Sequence, residues 1–105
     1  MTTLQDREKE YENRFKLDQE LLFKAKDRRN RMLGLWAAAK MGLSGEEAAA
    51  YASDLIDAAF QGGDGRVIEK VVADLSAKGH SYSPARVRFE LEHFGEEAKR
   101  QVMAG

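Results

Sequence analysis

The chain has 105 residues, of which 43% are hydrophobic and 33% charged, and its formal net charge is -1. These values fit one small domain with a single core and argue against a generally basic nucleic-acid binder, because affinity for a polyanion rests on clustered lysine and arginine. The absence of cysteine excludes disulfides and thiolate sites, and since we find no leader peptide and no apolar run of about eighteen residues, we expect a cytoplasmic protein without membrane insertion.

The first segment, residues 1–18, is highly charged and has little to bury. Ten of the fifteen residues from Asp6 to Glu20 are charged, and opposite charges four residues apart favour a helix. The apolar Leu4, Tyr11 and Phe15 form only a thin stripe. Burying them stabilises the segment by roughly 1.5 to 3 kcal/mol per side chain. This gain does not offset the conformational entropy lost on folding, which costs about 1 to 2 kcal/mol for each residue whose backbone is fixed. We predict a flexible arm that becomes helical on a partner; the alternative is a solvated leader without a role.

The remaining residues, 19–105, contain four helical patterns and no strand pattern of useful length. The first pattern ends near Gly42. The second begins with a capping box formed by Ser44 and Glu47, and Gly62 and Gly63 end it. We predict an all-α, four-helix bundle-like domain with a flexible N-terminal arm, its helices at about residues 19–41, 45–60, 65–78 and 84–103.

Local signals mark the ends of the last two predicted helices. Asp64 is placed to cap the third helix, and Gly79 to end it in a left-handed conformation. Ser83 caps the fourth helix, and Pro84 takes the first helical position, where its missing N–H costs nothing. The glycine-rich stretch 62–66 follows a helix and lacks a Walker ending, so we interpret it as a turn between helices and not as a phosphate cradle.

Catalytic and metal chemistry find little support in the sequence. His93 shares a helix face with Glu90 and Glu97, but these residues match no known ligand signature, and we interpret them as a solvated polar face. No pairing of a nucleophile with a base is visible. We therefore predict no catalytic residue, no metal site and no required cofactor.

A basic stretch in the first body helix is the main candidate binding site. Residues 24–31 contain five basic residues and one acid, and Lys26, Arg28 and Arg29 supply charges that suit phosphate oxygens. The alternative is a solvated surface whose long stems cover the core. Trp36 has the spacing of a core residue, and the alternative interpretation is a stacking platform for an adenine ring.

Several short stretches carry a resemblance to a known family, the most specific being Arg28-Arg29-Asn30 followed by Leu33-Gly34-Leu35-Trp36-Ala37-Ala38. Others are Asp6-Arg7-Glu8-Lys9, Phe15, Asp18, Glu20-Leu21, Phe23-Lys24-Ala25 and Tyr51-Ala52, with a weaker likeness at Val71, Asp74-Leu75 and Gly79. On these residues the sequence resembles the zeta subunit of bacterial ATP synthases over most of its length.

The resemblance implies a small helical regulator that inhibits ATP hydrolysis by the synthase. In that family the N-terminal arm enters a catalytic interface between alpha and beta subunits, beside the rotating gamma subunit of the central stalk. For this arm we expect Leu4, Tyr11 and Phe15 to pack into the headpiece. The polar contacts are expected from Arg7, Lys9, Arg14 and Lys16. The family's body is also linked with ADP and ATP, for which the candidate residues are Lys26, Arg28, Arg29 and Trp36. Such a protein would be peripheral to the inner membrane through the synthase.

The alternative function is a small nucleic-acid-binding module. Residues 75–89, with Gly79 in a turn and Arg86 and Arg88 on the next helix, are similar in outline to a helix-turn-helix. Against this function, acidic residues crowd the would-be recognition helix at Glu90, Glu92, Glu96 and Glu97. We therefore expect no nucleic-acid partner.

Overall fold

The computed structural model describes the backbone of residues 4–104 and the side chains of residues 18–104. Over that range the chain forms three α-helices and no strand: α1 (Leu4–Lys40), α2 (Gly45–Ala77) and α3 (Pro84–Ala104). The predicted all-α class is confirmed. The partner-binding side chains predicted in the arm lie outside the described side chains, and the flexibility of the arm in the free protein stays a prediction.

The prediction of four helices is wrong, because the described residues form three. The predicted second and third helices belong to one helix, α2, which bends at Gly63. Gly63 has φ 71° and ψ −162°, a conformation that is essentially restricted to glycine. The helix therefore changes direction at one residue and continues from Asp64, without the turn that we predicted for residues 62–66.

Two residues after the last residue of both α1 and α2, a glycine with positive φ stops the helix. The amide of Gly79, at φ 85°, donates to the carbonyl of Ser76 (3.0 Å), and the amide of His80 donates to that of Leu75 (2.9 Å). After α1, Gly42 has φ 79°, and the amides of Gly42 and Leu43 donate to carbonyl groups of the last helical turn in the same way. These bonds satisfy carbonyl groups that the last helical turn leaves free, and they confirm the predictions for both helix ends.

The predicted N-terminal caps have different outcomes. The Ser83 hydroxyl accepts a hydrogen bond from the Arg86 amide (3.1 Å), and α3 begins at Pro84 as predicted. Ser44 does precede α2, but its side chain makes no capping hydrogen bond, so the predicted capping box is wrong. The predicted cap at Asp64 is also wrong, because its carboxylate accepts from Arg29 on α1 and, among the described residues, from no helix amide.

The core lies between α1 and its two neighbours, because α1 packs against both α2 and α3 while these two contact each other much less. The largest fully buried side chains are Leu33, Leu55, Leu75, Leu91, Val67, Val71, Val87 and Asn30. Buried residues of the described range run from Ala25 to Ala98. The core that the described side chains form therefore lies within the helical body.

A hydrogen bond between side chains joins the two halves of α2 across the bend. Tyr51 is buried, and its hydroxyl donates to Oδ2 of Asp74 at 2.9 Å. The ammonium of Lys70 lies 3.0 Å from the same oxygen. Burial raises the pKa of the Tyr51 hydroxyl, and the hydrogen bond to the Asp74 carboxylate raises it further.

No helix among the described residues is both long enough and apolar enough to cross a bilayer.

Candidate functional site

The basic stretch of α1 borders a groove between α1 and α3. Lys26 and Arg29 are three residues apart and therefore share a helix face, and both line this open groove of about 380 Å³. The other lining residues are Leu22, Ala25, Glu92, Gly95, Glu96 and Lys99. A groove of this size is at the lower end of the range for small-molecule sites.

The charges along this groove are mixed. Lys26 and Arg29 from α1 and Lys99 from α3 are basic, whereas Glu92 and Glu96 from α3 are acidic. An anionic group would be attracted to the α1 side and repelled by the two carboxylates, since both interactions act over a few ångströms. The charges therefore favour an anion beside Lys26 and Arg29 over one beside Glu92 and Glu96.

Arg29 is the most constrained of the predicted phosphate-binding residues, because it touches all three helices. A Cβ at Gly95 of α3 would lie 3.3 Å from the Arg29 Cδ, so the arginine stem passes over that glycine. Its Nη2 lies 2.6 Å from Oδ1 of Asp64, and its Nη1 lies 3.4 Å from Oδ2. Its Nε donates to Oδ1 of the buried Asn30 at 3.1 Å.

Arg28 points to a different surface. It is exposed and lines a shallow depression with Lys24, Asp27 and Arg31 on α1. Its Nη1 donates a long hydrogen bond of 3.4 Å to Oε1 of Gln101 on α3. Successive helix residues are rotated by about 100°, which is why the structure separates Arg28 from the groove although it is adjacent to Arg29 in sequence.

Trp36 lies apart from both basic surfaces. It is partly buried and packs against the core, as its spacing predicts. Its ring meets that of Tyr82 edge to face, with 5.4 Å between centroids and 75° between planes, and the Lys40 ammonium lies 6.0 Å from its centroid. Along α1 it is about 10 Å beyond Arg29, and it does not line the groove.

The geometry gives no support to the alternative DNA-binding function. A helix-turn-helix packs the two helices that flank its turn, but α3 packs mainly against α1. The Arg86 guanidinium lies 2.9 Å from Oε1 of Glu90 and is therefore already paired.

Among the described residues, no group of three or more acidic, histidine or cysteine side chains is arranged to hold a metal.

The sequence did not reveal two contacts that shape this site. Asp64 bonds to Arg29 from 35 residues away, and Gly95 provides space for the arginine stem. Asp64 is the one acid within the glycine-rich stretch 62–66. That isolation could have drawn attention to it, but nothing in the local pattern indicates which base it meets.

A family model described as ATPase inhibitor subunit zeta matches residues 1–101 of the chain. The matched range includes the arm, the basic stretch of α1, the bend in α2 and most of α3. No curated protein matches the sequence. The arm and the helical body are therefore parts of one family pattern.

Proposed function

Because this chain belongs to the ATPase inhibitor subunit zeta family, we propose that it inhibits ATP hydrolysis by the catalytic headpiece of an ATP synthase. The observation that carries the proposal is the family match over residues 1–101, which includes the charged arm. An inhibitor subunit regulates its target and needs no catalytic residues of its own. Through the headpiece the protein would be cytoplasmic and peripheral to the inner membrane.

The arm is the segment that acts on the headpiece in this proposal. It enters a catalytic interface between alpha and beta subunits beside the gamma subunit, where Leu4, Tyr11 and Phe15 pack against the partner. The polar contacts come from Arg7, Lys9, Arg14 and Lys16. A segment that becomes ordered only on binding loses affinity to conformational entropy but can enter a narrow cleft and leave it again, which suits a reversible inhibitor.

The helix α1 supports this division of roles. Its 37 residues from Leu4 to Lys40 include most of the arm and the basic stretch of the body, a length of about 55 Å. The body has its own core between Ala25 and Ala98. When the arm is bound as a helix, α1 would hold that folded body at the mouth of the cleft.

The test is ATP hydrolysis by the isolated headpiece, with the full chain or with residues 19–105. We expect inhibition by the full chain and none by the shorter one. Circular dichroism of residues 19–105 must show a cooperative thermal transition, so that loss of inhibition is not loss of folding. Equal inhibition by both chains would refute the role of the arm.

The second part of the proposal is that the body binds ADP or ATP through Lys26, Arg28 and Arg29. Lys26 supports it best, because it is exposed and lies within ion-pair distance of no acid among the described side chains. Arg28 would contribute from the neighbouring surface. Trp36 would meet only the base of the nucleotide, since it lies about 15 Å along α1 from Lys26.

An NMR titration with ADP tests the nucleotide site. We expect shifts of amide signals around Lys26 and Arg28, and weaker binding by Lys26→Gln than by Lys78→Gln, an exposed lysine at the end of α2. Both variants lose one positive charge, so their difference reports the position of the charge. Absence of shifts in this part of α1 would rule the site out.

A further inference from the structure

Each guanidinium nitrogen of Arg29 already has a partner in the free protein. Nη1 and Nη2 face the Asp64 carboxylate, and Nε donates to the Asn30 amide oxygen. A phosphate is best bound by two parallel N–H groups of an arginine fork. Asp64 occupies the edge formed by Nη1 and Nη2, and Asn30 occupies Nε on the other edge. A phosphate that binds two parallel N–H groups must therefore displace one of these two partners.

The burial of these two partners decides which one gives way. Asn30 is only 2% exposed, and removing its hydrogen bond would leave a buried polar group without a partner, which is costly. The Asp64 side chain is 36% exposed, and its carboxylate can exchange Arg29 for water. A phosphate next to Asp64 would also repel it, because both groups are negative.

We propose that Asp64 is an internal competitor of phosphate for Arg29, so that nucleotide binding breaks the contact between α1 and the bend of α2. This inference rests on the proposed nucleotide site. Asp64 directly follows Gly63, the residue at which α2 changes direction. The ion pair between Asp64 and Arg29 therefore connects the basic stretch of α1 to the bend of α2. Phosphate binding to Arg29 would break this connection and is in this way coupled to the backbone conformation at Gly63.

The test compares ADP binding by the wild-type chain, Asp64→Asn and Asp57→Asn. Asp57 is an exposed residue of α2 with no ion pair among the described side chains, so both variants lose one negative charge but only one loses the competitor. We expect Asp64→Asn to bind ADP about two- to fivefold more tightly than Asp57→Asn, the size of effect that a partly exposed ion pair has. In the wild-type chain, ADP should also shift the amide signals of Gly63 and Gly65.

The outcomes separate this inference from the proposals on which it rests. If ADP shifts the signals of Lys26 and Arg28 but the two variants bind it equally well, the competition is refuted and the nucleotide site remains. If ADP shifts no signal in α1, both are refuted. Inhibition of hydrolysis by the arm is measured without ADP titration and is decided independently of either result.

Discussion

Gly34 lies where α1 and α2 approach each other most closely. A Cβ there would be 2.6 Å from Cα of Ala52 and 3.3 Å from Cδ1 of Leu55. Because the Ala52 atom belongs to the backbone, it can move aside only if the helix moves. We expect Gly34→Ala to lower the free energy of unfolding by about 1 to 3 kcal/mol, measured by urea denaturation.

Gly65→Ala is the matched control for that substitution. Gly65 lies in the same helical body, but a Cβ there would meet no atom within 4 Å. Alanine is favoured over glycine in a helix, and we expect Gly65→Ala to raise the free energy of unfolding by about 0.5 to 1 kcal/mol. If Gly65→Ala also lowered the free energy of unfolding, the loss in Gly34→Ala could not be attributed to close packing at Gly34.

The buried hydroxyl of Tyr51 makes stability depend on pH in the alkaline range. Its pKa in the folded protein is raised above the usual 10.0 by burial and by the Asp74 carboxylate. The unfolded chain therefore releases this proton from about pH 10 upward while the folded chain keeps it. The free energy of unfolding then falls as the pH rises, with a limiting slope of about 1.4 kcal/mol per pH unit.

Denaturation of the wild-type chain and Tyr51→Phe between pH 9 and 11 measures this effect, with the pH values set around the usual pKa of about 10. We expect the wild-type chain to lose stability more steeply above pH 10, because phenylalanine has no proton to release. Parallel curves would mean that the Tyr51 hydroxyl does not titrate differently in the folded and unfolded chains.

Single residues were predictable from the sequence where the contact is local. Ser83 caps α3 and Gly79 ends α2 as predicted, because each interaction spans only a few residues. Asp64 has the same type of local signal, but its carboxylate bonds to Arg29 on another helix. A partner 35 residues away cannot be found from local spacing, and here the tertiary contact outweighs the capping preference.

At the level of the helices, α2 depends on the backbone conformation of Gly63. Its φ of 71° and ψ of −162° lie in a region that side chains disfavour, although a Cβ would meet no atom within 4 Å. We expect Gly63→Ala to cost about 1 to 3 kcal/mol of stability through backbone strain alone. Urea denaturation measures it, with Gly65→Ala again as the control.

NMR spectroscopy of Arg29 is a second readout for Gly63→Ala, and it detects a straightening of the bend in α2. Straightening would separate the Asp64 carboxylate from Nη1 and Nη2 of Arg29 and would shift the signals of these guanidinium NH2 groups in NMR spectra. A variant as stable as the wild-type chain, with an unchanged Arg29 signal, would contradict a bend that requires glycine.

The sequence predicted the position of the bend but not its form. Gly62 and Gly63 correctly interrupt the helical pattern, yet one residue with unusual dihedral angles is enough to redirect α2, and no loop separates its halves. Composition cannot distinguish a turn from a bend, because glycine permits both. The hydrogen bond from Tyr51 to Asp74, which joins the halves, links residues that we predicted in separate helices.

For the molecule as a whole, the sequence predicted the helical class and the basic stretch better than the site. It grouped Lys26, Arg28, Arg29 and Trp36 by their closeness in sequence, whereas the structure brings only Lys26 and Arg29 to the groove. The acids opposite them, Glu92 and Glu96, come from α3. The rotation of successive residues around α1 decides which basic side chains reach the groove. The packing of α3 against α1 decides which acids lie opposite them, and this packing cannot be obtained from the pattern of one helix.

Inhibition through the arm is tested most directly by matched substitutions in the full chain. Phe15→Asp puts a charge on the apolar stripe of the arm, while Phe60→Asp makes the same change on the body at a side chain that is 87% exposed. We expect Phe15→Asp to raise the concentration needed for half-inhibition of headpiece hydrolysis by about tenfold or more, and Phe60→Asp to leave it unchanged. Undiminished inhibition by Phe15→Asp, or an equal loss with both variants, would contradict an inhibitory arm that binds through its apolar stripe.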